Sequence, residues 1–426
     1  MTLPGVFITE TAPAGDGTTL AVKDLFDTAG VRTTYGSAVF ADHVPDATAE
    51  AVTRLERAGY ASVGKANLHE FALGLTTISS LGGQTLDPYD LTRAPGGSSG
   101  GSGVAAAANF AAAALGTDTS GSIRIPSSHN SIVGLRPSAG LSSRSGIIPF
   151  GHTQDTGGPM ARTVADVAVL LDATVGHDPD DPVTAASAGR VPRTYTRSLR
   201  RDALRGARIG VLTEFFGTAP EDDEVGAIVR RAIDEMRAQR ATAIEIGVPD
   251  LASQLAASNL LSQELKFYLG AYLKRSGAAV TSVTELLASG LYTPQLRTFL
   301  QGANAQPDDY LSSADYAKRL AARASLGNAI RAVMDQNRLD AILYPTARRI
   351  APPIGGNQVG SNAGLSAQTG FPAISIPAGF TAGGFPVGVE LLGRPFAEPT
   401  LIALAYSYEQ ATHYRRPPST TPPVAS

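Results

Sequence analysis

Arg93-Ala-Pro-Gly-Gly-Ser-Ser-Gly-Gly-Ser-Gly103 is followed by an apolar run, VAAAANFAAAAL at 104–115, and then by Gly116-Thr-Asp-Thr-Ser-Gly-Ser-Ile-Arg-Ile-Pro126. Glycine permits positive φ and close backbone approach, so two Gly/Ser clusters read as tight turns whose hydroxyls and N–H groups converge on one spot. A pair of flexible linkers has a similar composition. The run between them argues against linkers, because an almost wholly apolar segment must be buried and then holds both clusters rigidly. Serine hydroxyls beside backbone N–H donors are what a reaction at an acyl carbon needs.

Three motifs compete for the first cluster. The spacing from Gly96 to Gly101 suggests a phosphate loop, but Ser102 stands where that loop needs lysine. Gly97-Ser98-Ser99-Gly100-Gly101 also fits the G-x-S-x-G elbow, with His129 or His152 to complete a triad. That elbow must follow a buried strand, and DLTRAP at 90–95 is not one. The third reading takes Ser98 and Ser122 together with a lysine upstream. GGSSGGS at 96–102, DTSGSIRIP at 118–126 and GLRPSAG at 134–140 together resemble the signature region of the amidase signature family.

The resemblance implies an α/β fold: a single large domain over 1–426, with a central mixed twisted sheet covered by helices on both faces. Its core covers about residues 18–175 and 339–412, with a variable helical substrate-side region at about 185–337. It assigns Ser122 as nucleophile, Ser98 as a bridging serine on a cis peptide, and Lys23 as base. The N–H groups of Thr119, Ser120, Gly121 and Ser122 are expected to form the oxyanion hole, and Leu73, Gly74 and Leu75 to lie near the acyl pocket. The implied activity is cleavage of a C–N acyl bond through an acyl-enzyme; the apolar Leu73 and Leu75 and the aromatic helical segment at 265–273 favour a small, neutral, partly hydrophobic amide. Aryl amides, carbamates (urethanes) and esters are variants of the same acyl transfer. The alternative is the glutaminase A subunit of a tRNA amidotransferase complex.

Lysine usage sharpens the choice of base. Only five lysines occur, at 23, 65, 266, 274 and 318. Lys23 sits inside TTLAVKDLF at 18–26, and a buried lysine is costly unless neutral or paired. The residues alone leave open a lysine that reaches water or pairs with Asp24; the family's lysine lies in a segment like 21–24. Lys65 is the rival, expected on an exposed turn. His69 reads as a surface or satisfied histidine, His129 as a core or turn residue, and Asp118 and Arg124 as residues that pair or cap nearby turns.

Composition excludes several functions. With no cysteine there are no disulfides, no thiolate catalysis and no cysteine-ligated metal. A net charge of −3 without a phosphate-neutralising basic run gives no reason to expect a nucleic-acid partner. No signal peptide or membrane anchor is evident, which makes the cytoplasm the expected location. The acidic loop at 177–182 lacks calcium-loop spacing, so no metal and no cofactor are expected. A homodimer is compatible with the sequence.

Outside the signature region, the pattern predicts a helix at 46–59 with Asp46 as N-cap and a strand at 60–64. A second strand follows at 207–212. Thr218 and Glu221 form a capping box for a helix that buries Val225, Ile228, Val229, Ala232 and Met236. Residues 251–337 read as helical throughout, and the aromatic stretch 265–273 reads as core rather than as a substrate entrance. Strands are expected at 339–346, 371–379 and 387–392, a helix at 397–410, and a frayed Pro-rich tail from 417.

Overall fold

The computed structural model describes residues 3–13 and 15–420. Its strands are β1 (Phe7–Glu10), β2 (Thr18–Lys23), β3 (Tyr60–Ala66), β4 (Ile78–Ser79), β5 (Gly83–Gln84), β6 (Ala113–Thr117), β7 (Val133–Arg136), β8 (Gly157–Ala161), β9 (Arg208–Leu212), β10 (Thr242–Ile246), β11 (Ala341–Pro345), β12 (Ala373–Phe380) and β13 (Pro386–Leu392). β4 and β5 form a small ribbon of their own. The other eleven form one sheet in the order β1-β3-β2-β6-β8-β7-β12-β13-β11-β9-β10. β3, β2 and β6 run parallel, as do β11, β9 and β10, while the strands from β6 through β8, β7, β12 and β13 to β11 pair antiparallel.

The period of two in each strand decides what covers the sheet. Leu20 and Val22 of β2 join the cluster that holds Val52 and Leu55 of α1 (Glu50–Arg57), whereas Ala21 joins the cluster that holds Val104 to Ala107 of α2 (Gly100–Ala107). Helices therefore lie on both faces, and buried aliphatic side chains such as Leu20 and Val104 each contribute about 1.5–3 kcal/mol. Alanine is the strongest helix former and carries no bulk, so α2 packs tightly. A Cβ on Gly101 would stand 2.4 Å from the Asn67 carbonyl oxygen. Two further helices follow: α3 (Arg124–His129), which bears on the site, and α4 (Val164–Thr174), capped by Thr163.

Several elements differ from the sequence reading. α1 starts at Glu50 rather than 46, and its first turn is stabilised by the Arg54–Glu50 pair at 2.6 Å. The helix after Thr218 begins at Asp223, behind a 3-10 turn at Pro220–Asp222, so Thr218 is not its cap; its apolar face is buried as expected. β3 runs on to Ala66, which places Lys65 inside the sheet. Of the Pro-rich tail, Pro418 is buried and Thr420 donates to the Pro88 carbonyl at 2.6 Å; residues 421–426 lie outside the described residues. No helix among the described residues is long and apolar enough to cross a membrane.

Candidate active site

β2 ends on Lys23, whose side chain is fully buried. Its Nζ lies 2.7 Å from Ser98 Oγ and 2.8 Å from Thr117 Oγ1 at the end of β6. No carboxylate pairs with it among the described residues. Burial pushes the amine well below the usual lysine range, and the more distant Asp118 and Asp155 oppose that shift without reversing it.

Ser98 sits just ahead of α2, after a cis peptide bond between Gly97 and Ser98. Its carbonyl accepts the His69 N–H at 3.0 Å, and the next residue, Ser99, donates its N–H to the Ser122 carbonyl at 3.1 Å. That bond ties the first Gly/Ser cluster to the second. Gly97 has no room for a side chain, because a Cβ would stand 2.8 Å from the Leu75 carbonyl carbon. The Leu75–Thr76 peptide thus lies against the Gly97 backbone.

The turn from 118 to 123 is built around one buried carboxylate. Asp118 accepts the N–H groups of Gly121 (2.7 Å) and Ile123 (3.2 Å), and pairs with Arg124 and Arg136, both at 3.1 Å. Arg124 reaches on to Glu390 of β13 at 2.5 Å, which also accepts the Tyr344 hydroxyl at 2.9 Å. Burial, the largest single influence on the Asp118 carboxyl, pushes it up, but the two guanidinium groups and the N–H donors together hold it well below the usual range. The network corrects one expectation: the Gly121 N–H is committed to Asp118 and is not free for an oxyanion. The N–H groups of Thr119, Ser120 and Ser122 donate to no acceptor among the described residues.

The other sequence candidates fall into place around this centre. Lys65 is not on an exposed turn. It is fully buried and bonded to the Phe26 carbonyl, Thr28 Oγ1 (3.0 Å) and Thr33 Oγ1 (2.9 Å), with Asp24 at 3.9 Å. Asp24 is therefore the partner of Lys65, not of Lys23. Burial lowers Lys65 to about 8 and raises Asp24 to about 6. His69 is buried rather than on the surface; burial, then Lys23, lowers it to about 4, and its ring fills the space beside Gly74. His129 is a core residue whose Nε2 meets Gln358 Oε1 at 2.8 Å. Leu73 packs against the main core.

In the acidic loop, Asp178 accepts from Ser143 and Asp181 pairs with Arg144 at 2.6 Å, so these carboxylates anchor the preceding loop. Tyr272 is buried and donates to Asp27, as a core residue should, whereas Tyr268 stacks on His152 with ring centroids 4.1 Å apart. Sequence reasoning missed Thr117, Arg136, Gln154 and Glu390. Arg136 lies within GLRPSAG and Thr117 abuts DTSGSIRIP, so both were signalled by position; Glu390 was not, being distant in sequence.

Fold and motifs together define an amidase-family hydrolase. The chain belongs to the amidase signature family: residues 11–402 match the family described as Amidase. The A subunit of the glutamyl-tRNA(Gln) amidotransferase of Moorella thermoacetica is 37% identical over 417 residues, covering 94% of this chain and 84% of that protein. The native peptide amidase of Stenotrophomonas maltophilia superposes with a TM-score of 0.88 at 37% identity, over 95% of this chain and 84% of that one. The A subunit of the glutamyl-tRNA(Gln) amidotransferase of Thermotoga maritima superposes with a TM-score of 0.77 at 30% identity, over 94% of this chain and 85% of that one.

Proposed function

We propose that the chain hydrolyses a C–N acyl bond with Ser122 as nucleophile, Ser98 as proton relay and Lys23 as base. The observation that carries this reading is the buried Lys23 amine, unpaired with any carboxylate among the described residues and 2.7 Å from Ser98 Oγ. A neutral amine has two N–H donors and one lone pair. It donates to Thr117 Oγ1 and accepts from the Ser98 hydroxyl, which in turn accepts the Ser122 proton as Ser122 Oγ attacks the carbonyl carbon. The N–H groups of Thr119, Ser120 and Ser122 take the oxyanion, each worth ~3 kcal/mol in the transition state. As the C–N bond breaks, Ser98 protonates the leaving nitrogen and is reprotonated by Lys23. Water, deprotonated through the same relay, then cleaves the acyl ester.

The substrate is a neutral amide with an apolar acyl part. A small cavity beside Thr117 and Thr119 is lined by Leu25, Ala72, Ile147, Ile148 and Phe150 together with Arg144, Asp155 and Thr156; Arg144 is paired with Asp181, and Asp155 accepts from Thr119 Oγ1 and the Phe150 and Gly151 N–H groups. Esters and carbamates are slower or faster variants according to their leaving group.

The sequence relatives favour a second reading, the glutaminase component of a tRNA amidotransferase complex, and they support it more directly than they support a stand-alone amidase. The purified chain, given an apolar anilide and, separately, glutamine, tests both. Aniline release by the chain alone supports the first reading; ammonia release from glutamine only in the presence of partner proteins supports the second. Intact mass after fluorophosphonate treatment tests the chemistry common to both, and an adduct that persists in Ser122→Ala would remove Ser122 as nucleophile.

A further inference from the structure

The oxyanion turn has three N–H groups without an acceptor among the described residues, and what aims them is visible on their reverse side. The C=O and N–H of a trans peptide point in opposite directions within one plane, so the group that holds a carbonyl also orients the following N–H. Behind the Thr119 N–H, the Asp118 carbonyl accepts from Arg136 Nη1. Behind the Ser122 N–H, the Gly121 carbonyl accepts from the Ile125 N–H at 2.8 Å, a bond of the turn itself. Behind the Ser120 N–H, the Thr119 carbonyl accepts from Gln154 Nε2 at 2.9 Å. This last holder is a side chain from outside the turn, and the proposed chemistry gives it no other task.

Gln154 is 2% exposed, and its own orientation is imposed. Arg323 Nη1 donates to Gln154 Oε1 at 2.5 Å, and Arg136 Nη2 donates to the Gln154 carbonyl at 2.6 Å. Guanidinium only donates and a carbonyl only accepts, so the amide has one admissible orientation: Oε1 on Arg323 and Nε2 on Thr119. Arg323 lies on the helix Ala314–Gln336 and is fixed by bonds to the carbonyls of Thr153 (3.1 Å) and Ala367 (3.2 Å). The long helix of the region read as variable thus reaches the turn through two side chains.

We propose that Gln154, locked by Arg323, is a positioning residue that aims the Ser120 N–H at the oxyanion. The proposal rests on the serine mechanism above. It identifies the helix Ala314–Gln336 as part of the catalytic framework rather than only a wall of the substrate side.

Gln154→Glu is the discriminating variant. The carboxylate still accepts from Arg323, which preserves the buried contact, but it has no N–H to give Thr119. For an anilide substrate, kcat should fall about tenfold to a hundredfold with KM nearly unchanged, somewhat less than outright loss of an oxyanion donor. Affinity for a trifluoromethyl ketone, which forms a tetrahedral adduct, should fall by the same factor, while the melting temperature stays near that of the wild type. Arg323→Met, which frees the amide to rotate, should lower kcat in the same sense and carries the test if Q154E does not fold. A folded Q154E or R323M with wild-type kcat and ketone affinity would overturn the proposal, as would a loss confined to KM. Fluorophosphonate labelling separates the two layers: an unlabelled wild-type Ser122 refutes the serine mechanism, whereas a labelled Ser122 with unaltered variant kinetics refutes only the role of Gln154.

Discussion

Replacing Lys23 by methionine removes the amine while nearly preserving volume. The side chain is fully buried and touches two hydroxyls, Ser98 Oγ and Thr117 Oγ1, so the substitution deletes a proton acceptor without unpairing a buried charge. General acid–base catalysis is worth about 10²–10⁴ in rate, or ~2.7–5.5 kcal/mol, and anilide hydrolysis should lose that much. A nitrophenyl ester of the same acid needs no returned proton for its leaving group, so its loss should be smaller by at least about tenfold. Lys23→Arg should fail as badly as methionine on the anilide, since guanidinium stays protonated. In the wild type, kcat/KM should rise with pH as the depressed amine pKa is passed.

Wild-type stability should rise with pH as well. The folded pKa is lowered, so between that value and ~10.4 the unfolded chain binds a proton that the folded chain does not, and wild-type stability increases with pH across that window. Keeping the buried amine neutral costs the wild-type fold stability at neutral pH, against ~1 kcal/mol for each hydroxyl bond that methionine forfeits. The stability of Lys23→Met relative to wild type should therefore be greatest at neutral pH and decline as pH approaches ~10.4. The assay is kcat/KM for matched anilide and ester from about pH 6 to 10, with urea denaturation alongside, a range chosen to span the shifted lysine. An arginine variant that keeps most of its anilide activity would rule out Lys23 as the base, because the position would then need only a positive charge.

Ser122→Ala should abolish anilide and ester hydrolysis alike with an unchanged circular dichroism spectrum; retained turnover would move the nucleophile to another serine. Lys65→Met should lower stability by about 3–5 kcal/mol in urea denaturation, since it strands the buried Asp24, while activity per folded molecule persists. A selective loss of kcat in that variant would mean the two lysines had been assigned the wrong way round. Gly121→Ala should lower the melting temperature and kcat together: Gly121 has φ of +104°, and an added Cβ would stand 2.5 Å from the Ala363 Cβ, a strain of about 1–3 kcal/mol.

The candidate site was legible in the sequence where chemistry and local pattern coincide. Two Gly/Ser clusters around a buried apolar run pointed to its location, and rarity of lysine drew attention to Lys23. The partner of each lysine was not legible. Adjacency suggested that Lys23 pairs with Asp24, but successive strand residues face opposite ways, and Asp24 turns to Lys65 on the neighbouring strand. The same limit applies to Asp118, where Arg124 is close in sequence but Glu390, the other carboxylate on that guanidinium, is not. Helix faces such as Val225, Ile228 and Val229 were read correctly because their period is local. Short strands such as β1 and β10 were not, because four or five residues carry too little alternation to stand out.

The pairing of Arg124 with Glu390 spans 266 residues, and β7 is flanked on one side by β12, from the last part of the chain. A ribosome therefore releases Lys23, Ser98 and Ser122 long before the residues that complete their surroundings. Until Tyr344 and Glu390 emerge, the guanidinium behind the Ser122 turn lacks its second carboxylate, and β7 presents an unpaired edge. The framework behind the Ser122 turn is thus complete only in the nearly finished polypeptide. Messages cut short before β11 encode fragments that carry Lys23, Ser98 and Ser122 but lack Glu390 and the strand that pairs with β7.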